Sequence, residues 1–126
     1  IAVGGVTDKQ RHVYDTVLKA QLAACAAAKA GMRGCEVDKV ARDIIAAEGY
    51  EGKFGHGLGH SLGIEIHEEP RFSPLCETII EEGMMMTIEP GIYLAGEFGV
   101  RIEDTVLITE NGIEIMAKSD KNLIII

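Results

Sequence analysis

The stretch Gly55–Pro70, GHGLGHSLGIEIHEEP, is the part of the chain that decides the fold around it. Three of the four histidines of the protein, His56, His60 and His67, lie in it with glycines between them. Glycine lets a backbone approach a ligand closely, and neutral imidazole is a common metal ligand and an acid–base group near neutral pH. The stretch therefore predicts a functional site, not core packing alone.

Composition limits the classes of protein to which the chain can belong. It has 126 residues, of which 47% are hydrophobic and 25% charged, so it is long enough for one globular domain with its own core. The formal net charge of −8 argues against nucleic acid or an anionic membrane as a partner, because either would require a basic face. No apolar run approaches the roughly 20 residues that cross a bilayer.

The cysteines and the first residues carry separate information. Cys25, Cys35 and Cys76 are odd in number and lack C-x-x-C spacing, which favours a reduced, cytoplasmic setting and small buried thiols. The sequence begins Ile1–Val3, without an initiator methionine. We therefore expect residues 1–126 to form a single partial domain of a longer protein.

Two helices are predicted in the first half of the chain, and both are interpreted as scaffold. Thr7 and Gln10 have the spacing of a capping box, which starts a helix that runs to Ala30 before Gly31. Its apolar spacing includes Leu22, and its second half is rich in alanine. A second apolar pattern begins after the turn at residues 31–34 and ends at Gly49.

The second half of the chain predicts short strands. Alternation in Leu62–Glu68 predicts a half-buried strand with Ile64 and Ile66 on the buried face and His67 on the other. Residues 71–74 are predicted to be a loop. Further strands are predicted at residues 84–93, 100–109 and 113–116, with turns at Gly96 and at residues 110–112.

Glu89 and Glu103 interrupt two apolar strands, and burial of a lone carboxylate is costly. If the turn is centred on Gly96, antiparallel pairing places the two carboxylates opposite each other. Facing like charges require a cation, which is either Arg101 or a metal ion. Imidazole and carboxylate without thiolate suit zinc, manganese, cobalt or ferrous iron, so a hydrolytic metal site is the leading hypothesis.

Four motifs in order resemble the pita-bread metallopeptidases of the creatinase/aminopeptidase family. They are HGLGH at residues 56–60, HEEP at 67–70, TIEPGIY at 87–93 and GVRIED at 99–104. That family includes aminopeptidase P, prolidase and methionine aminopeptidase. The resemblance covers essentially the whole chain and implies an α+β pita-bread fold of which this is the second half, with two helices packed on a curved, mostly antiparallel sheet.

The resemblance also implies a dinuclear metal centre. His60, Glu89 and Glu103 would be metal ligands, with Glu103 bridging two divalent ions, manganese first and cobalt, zinc or iron as alternatives. Two aspartate ligands expected upstream have no counterpart, because Asp8 and Asp15 lie on the predicted first helix. We therefore expect weak metal binding and little or no peptidase activity from the 126 residues alone.

Catalytic and substrate-binding roles follow from the same resemblance. Glu89 would be the general base or acid acting on the attacking water, and His67 would contact the substrate and stabilise the oxyanion. His56 would line the substrate pocket, although an ordinary structural role stays open for it. Arg101 would hold the carboxylates by hydrogen bonds from outside the ligand set.

The position of His56 before His60 favours aminopeptidase P and prolidase over methionine aminopeptidase, which normally lacks a histidine there. The expected partner is thus a peptide or dipeptide with proline in second position, and an apolar face left uncovered predicts self-association. The alternatives are a non-catalytic binding module with the same fold, methionine aminopeptidase, or a metal-free amidinohydrolase like creatinase. The presence of His60, Glu89, Glu103 and His67 favours the peptidase over the binding module.

Overall fold

Helix α1, Asp8–Ala27, begins at the predicted capping box. In this computed structural model, which describes residues 1–126, the Gln10 N–H donates to Thr7 Oγ1 at 3.2 Å, and the Thr7 N–H donates to Gln10 Oε1 at 2.8 Å. The helix ends at Ala27, one turn before the predicted Ala30, because Ala28 is extended and Gly31 follows with φ +87°. No helix of the chain has the length and apolar character needed to span a membrane.

Loss of the cap gives a first testable result. Thr7→Ala removes the acceptor for the Gln10 N–H, so we expect the free energy of unfolding to fall by about 1 kcal/mol. Urea denaturation measures it, and Thr7→Ser, which keeps the hydroxyl, is the matched control. Equal stability of the Thr7→Ala and Thr7→Ser variants would contradict a stabilising cap.

Helix α2 covers Gly34–Ile45 and continues as one wide π turn, Ala46–Tyr50. Gly49 has φ +87° inside that turn, a conformation that favours glycine, and it stops the helix where the sequence predicted. The two helices pack on each other, and α1 also contacts the strands.

Seven strands complete the fold, and every ladder between them is antiparallel. They are β1 (Gly59–Ser61), β2 (Glu68–Phe72), β3 (Met85–Ile88), β4 (Gly91–Leu94), β5 (Phe98–Arg101), β6 (Asp104–Thr109) and β7 (Gly112–Ile115). Five of them form a sheet in the order β2-β1-β3-β6-β7, and β4 and β5 form a two-stranded ribbon. The predicted α+β fold, with two helices on a mostly antiparallel sheet, is confirmed.

The predicted strand over residues 62–68 is wrong. Ser61 already pairs with Glu68, so the residues between them are the connection from β1 to β2. The loop is closed locally, because the Gly63 N–H donates to the Glu65 carbonyl and the Glu65 N–H to the Glu68 carboxylate. Ile64 is consequently fully exposed. The predicted loop after it is partly strand instead, since β2 runs to residue 72.

The two long predicted strands are each broken in the middle, but their register is the predicted one. Ile88 faces Asp104 on one side of the break, and Gly91 faces Arg101 on the other. Across the break only the Ile102 N–H donates, to the carbonyl of residue 90 at 3.4 Å. Proline there has no N–H to offer a ladder. The break places positions 89 and 103 opposite each other without a bulge.

The core lies between α1 and the large sheet. Val13, Val17 and Ala24 are fully buried on the helix, whereas Leu22, which the apolar spacing placed on the same face, is 49% exposed. In the second half of the helix, small alanines therefore form the packed side. Cys25 is buried there, and burial raises the pKa of its thiol to about 12, so it behaves as a small apolar residue.

Candidate active site

His60 lies on β1 with both ring nitrogens committed. Its Nδ1 is 3.0 Å from the Ser61 carbonyl oxygen, which can only accept, so Nδ1 carries the hydrogen. Nε2 is then a lone pair that faces Glu89 Oε1 at 3.2 Å. Two acceptors at this distance require a positive charge between them, either a proton or a metal ion.

Thr87 orients the His60–Glu89 pair, a role that was not predicted from the sequence. Its hydroxyl accepts the His60 N–H at 3.0 Å and donates to Glu89 Oε1 at 2.9 Å, and the residue is buried. A hydroxyl two residues before a strand carboxylate lies on the same face of that strand, which was the available signal. The Thr87 hydroxyl thus ties the backbone of β1 to the carboxylate after β3.

Arg101 lies between the two glutamates that face each other across the break. One guanidinium nitrogen is 3.8 Å from Glu89 Oε2, and Nε is 3.8 Å from Glu103 Oε2. These are ion-pair distances, longer than hydrogen bonds. Glu89 is nearly buried, whereas the Glu103 side chain is 44% exposed. Arg101 is thus present as one of the two alternative cations predicted for the facing carboxylates, and the metal ion stays a prediction.

His56 is held differently from His60. Its Nδ1–H donates to the Gly57 carbonyl at 2.7 Å, which leaves Nε2 to accept the Tyr93 hydroxyl at 2.9 Å. Both ring nitrogens are engaged within the protein, so this imidazole is not presented as a metal ligand. Tyr93 is the last residue of TIEPGIY, and its contact with His56 is one that the motif alone does not predict.

A polar cavity of about 330 Å³ joins these groups. Its lining contains no hydrophobic side chain and consists of His56, Gly57, Gly59, His60, His67, Arg71, Ser73, Glu89 and Arg101. The exposed His67 ring lies edge-on to that of His60, with 4.4 Å between centroids. The structure therefore brings the three histidines of the opening stretch to one cavity with Glu89, whereas Glu103 lies outside the lining.

The donor set fits a cation only in part. No three His, Cys, Asp or Glu side chains converge closely enough to hold a metal ion by themselves. The His60–Glu89 pair does fit one, since its facing acceptors need a positive charge and Nδ1 is already oriented by a carbonyl, as in many metal-bound histidines.

Comparison with known proteins agrees with the sequence motifs. The profile of Metallopeptidase family M24 matches residues 1–110. An Xaa-Pro dipeptidase of Pyrococcus furiosus is 53% identical over 124 residues, which is 98% of this chain and 36% of the relative. The chain thus spans about a third of the length of the relatives it matches.

Solved structures give the same picture. An Xaa-Pro dipeptidase from Bacillus anthracis superposes with a TM-score of 0.98 at 48% identity, covering 100% of this chain and 36% of that one. An X-Pro aminopeptidase from Thermotoga maritima has a TM-score of 0.96 at 40% identity, with the same coverage of both chains. The resemblance drawn from four short motifs is confirmed along the whole chain. The protein belongs to metallopeptidase family M24.

Proposed function

We propose that the full-length parent of this chain hydrolyses the peptide bond between an N-terminal residue and proline, in a reaction that depends on divalent metal. The observation that carries the proposal is the facing pair of acceptors, His60 Nε2 and Glu89 Oε1, 3.2 Å apart in a polar cavity. Proline specificity rests on relatives named Xaa-Pro dipeptidase and X-Pro aminopeptidase. A non-catalytic module would have no need of such a pair.

His60, Glu89 and Glu103 are the residues of this chain that would hold metal, two ions per site, with manganese favoured over cobalt, zinc or iron. When bound, divalent metal lowers the pKa of water and polarises the scissile carbonyl. Glu103 is the most exposed of the three, and Arg101 neutralises it from one side. On its other side, Glu103 would contact the metal ions. The two implied aspartate ligands of those ions would come from outside these 126 residues.

The remaining roles are assigned to side chains on the cavity wall. Glu89 would accept a proton through Oε2, because Oε1 already accepts from the Thr87 hydroxyl. His67 has an exposed ring free to donate to the oxygen on which negative charge develops. His56 lines the pocket through the edge and face of its ring, since both its nitrogens are engaged. Arg101 keeps the two glutamates close despite their like charge.

Location and assembly are part of the proposal. A cytoplasmic setting is supported by three unpaired cysteines, Cys25, Cys35 and Cys76. Self-association is supported by exposed apolar side chains near both ends of the chain, among them Ile1, Val3 and Ile126, which are each more than two-thirds exposed. The net charge of −8 supports the expectation that neither nucleic acid nor an anionic membrane is a partner, because either would require a basic face.

The proposal is tested on the 126-residue chain and on a version extended upstream to the length of the matched relatives. We expect the extended enzyme with Mn²⁺ to cleave Xaa-Pro dipeptides and to leave Xaa-Ala dipeptides intact. The short chain should bind Mn²⁺ weakly in calorimetry and show little or no cleavage, because it supplies three of the five implied ligands.

Each of these expected results can be contradicted by a specific outcome. An extended enzyme that binds Mn²⁺ but cleaves neither dipeptide would favour the binding module, and cleavage of N-terminal methionine instead would favour methionine aminopeptidase. Strong activity of the short chain would overturn the need for ligands outside it. Longer Xaa-Pro peptides in the same assay separate an aminopeptidase from a dipeptidase.

A further inference from the structure

The glycine-rich segment that leads to His60 has almost no secondary structure of its own. Residues 53–58 lie between the π turn and β1, and glycine stands at positions 55 and 57. Glycine has the largest backbone freedom to lose on folding, so such a segment needs contacts from elsewhere to hold one conformation. Backbone hydrogen bonds hold its two ends, from the Tyr93 N–H to the Lys53 carbonyl at 3.0 Å and from the Glu89 N–H to the Leu58 carbonyl at 2.8 Å. The side-chain contacts to its backbone come from α2.

Two side chains on α2 supply them, Asp38 and Arg42. The Arg42 guanidinium donates to the carbonyl of Phe54 at 2.9 Å and to that of His56 at 2.8 Å. Asp38 Oδ1 accepts the Leu58 N–H at 3.0 Å. Three backbone groups at alternate positions of the segment are thus bound by one ion pair.

The ion pair is built for rigidity. Arg42 Nε and one terminal nitrogen donate to the two oxygens of Asp38 at 2.7 and 2.9 Å, a bidentate geometry. Asp38 is 1% exposed, and the guanidinium carbon lies 4.3 Å from the centre of the Phe54 ring. The His56 ring packs edge-on against that same phenylalanine, with 5.0 Å between centroids.

We infer that Asp38 and Arg42 are positioning residues, which set the backbone from Phe54 to Leu58 and thereby the places of His56 and His60 in the cavity. The inference rests on the proposed function, since it is the histidines of that site that are held. A merely structural ion pair would join two turns of α2. Of the five hydrogen bonds that Asp38 and Arg42 form, two join them to each other and three bind backbone groups outside the helix.

The test is amide hydrogen exchange on the 126-residue chain, measured by NMR without metal or substrate. Arg42→Lys keeps the charge beside Asp38 but lacks the planar fork. We expect exchange at residues 54–60 to accelerate by roughly tenfold or more while α1 amides keep their rates. The His56 ring signals should shift, with those of His12 on α1 as the internal reference.

The matched control is Lys39→Met, which removes the exposed pair between Lys39 and Asp43 at the same spacing on the same helix. It should leave exchange at residues 54–60 unchanged. Asp38→Asn is a second variant that keeps an oxygen for the Leu58 N–H and should also accelerate exchange locally. Unchanged exchange at residues 54–60, or equal acceleration there and in α1, would overturn the inference. Neither hydrogen exchange nor the His56 ring signals require peptidase activity. A failure of this inference can therefore be distinguished from a failure of the proposed function.

Discussion

Replacement of Glu89 by Gln is expected to lower the rate of Xaa-Pro cleavage by the extended enzyme by about 10²–10⁴-fold, the usual contribution of a general acid–base group. Glutamine keeps the shape of the side chain and an oxygen for the Thr87 hydroxyl, so the fold should persist. What it removes is the negative charge that faces His60 Nε2 at 3.2 Å. Both proton transfer and cation binding depend on that charge.

Glu114→Gln is the matched control, because Glu114 is exposed on β7 and forms no ion pair. It should leave the rate unchanged. Calorimetry with Mn²⁺ on both variants adds a measurement that does not depend on turnover, and weaker binding is expected only for Glu89→Gln. Activity of Glu89→Gln within a few-fold of the unmodified enzyme would remove Glu89 from the catalytic site.

Gly59→Ala is expected to destabilise the chain by roughly 3 kcal/mol, the upper part of the range for overpacking. A Cβ on Gly59 would lie 1.9 Å from the Thr87 carbonyl oxygen. That oxygen belongs to backbone, which cannot turn aside like a flexible side chain. β1 and β3 would have to separate at the point where the His60 N–H meets the Thr87 hydroxyl.

The control is Gly55→Ala, in the same Gly55–Pro70 stretch of the sequence. A Cβ there would meet nothing within 4 Å, and its backbone lies outside the left-handed region, so the change should be neutral or slightly stabilising. Thermal and urea unfolding of both variants give the comparison. Equal stability of the Gly59→Ala and Gly55→Ala variants would show that β1 does not require the close approach to β3.

Features that depend on neighbours along the chain were predicted well. The capping box at Thr7, the helix stop at Gly49 and the turn around Gly96 all appear where expected. The register across that turn also followed, because a short antiparallel connection leaves one pairing for the strands on either side. That register predicts Glu89 opposite Glu103, as the pairs on either side of the break show.

The strand predicted over residues 62–68 was wrong because the segment has no partner strand. Alternation through Ile64 and Ile66 is the pattern of a half-buried strand, yet these residues form a loop with exposed isoleucines. Period-two spacing shows that a strand is compatible with the residues, but not that a partner strand is available. Here Ser61 pairs with Glu68, so the residues between them lie outside the ladder.

The sequence by itself determined the family, the two helices, and the residues that carry the site, since motif order, capping and turn chemistry act over a few neighbouring positions. Only the tertiary structure decided which of those residues meet. It placed His60 against Glu89 and Arg101 between the glutamates, and it anchored the glycine-rich segment to Asp38 and Arg42. Such contacts join residues far apart in the chain, and their distances follow from packing, which no local pattern contains.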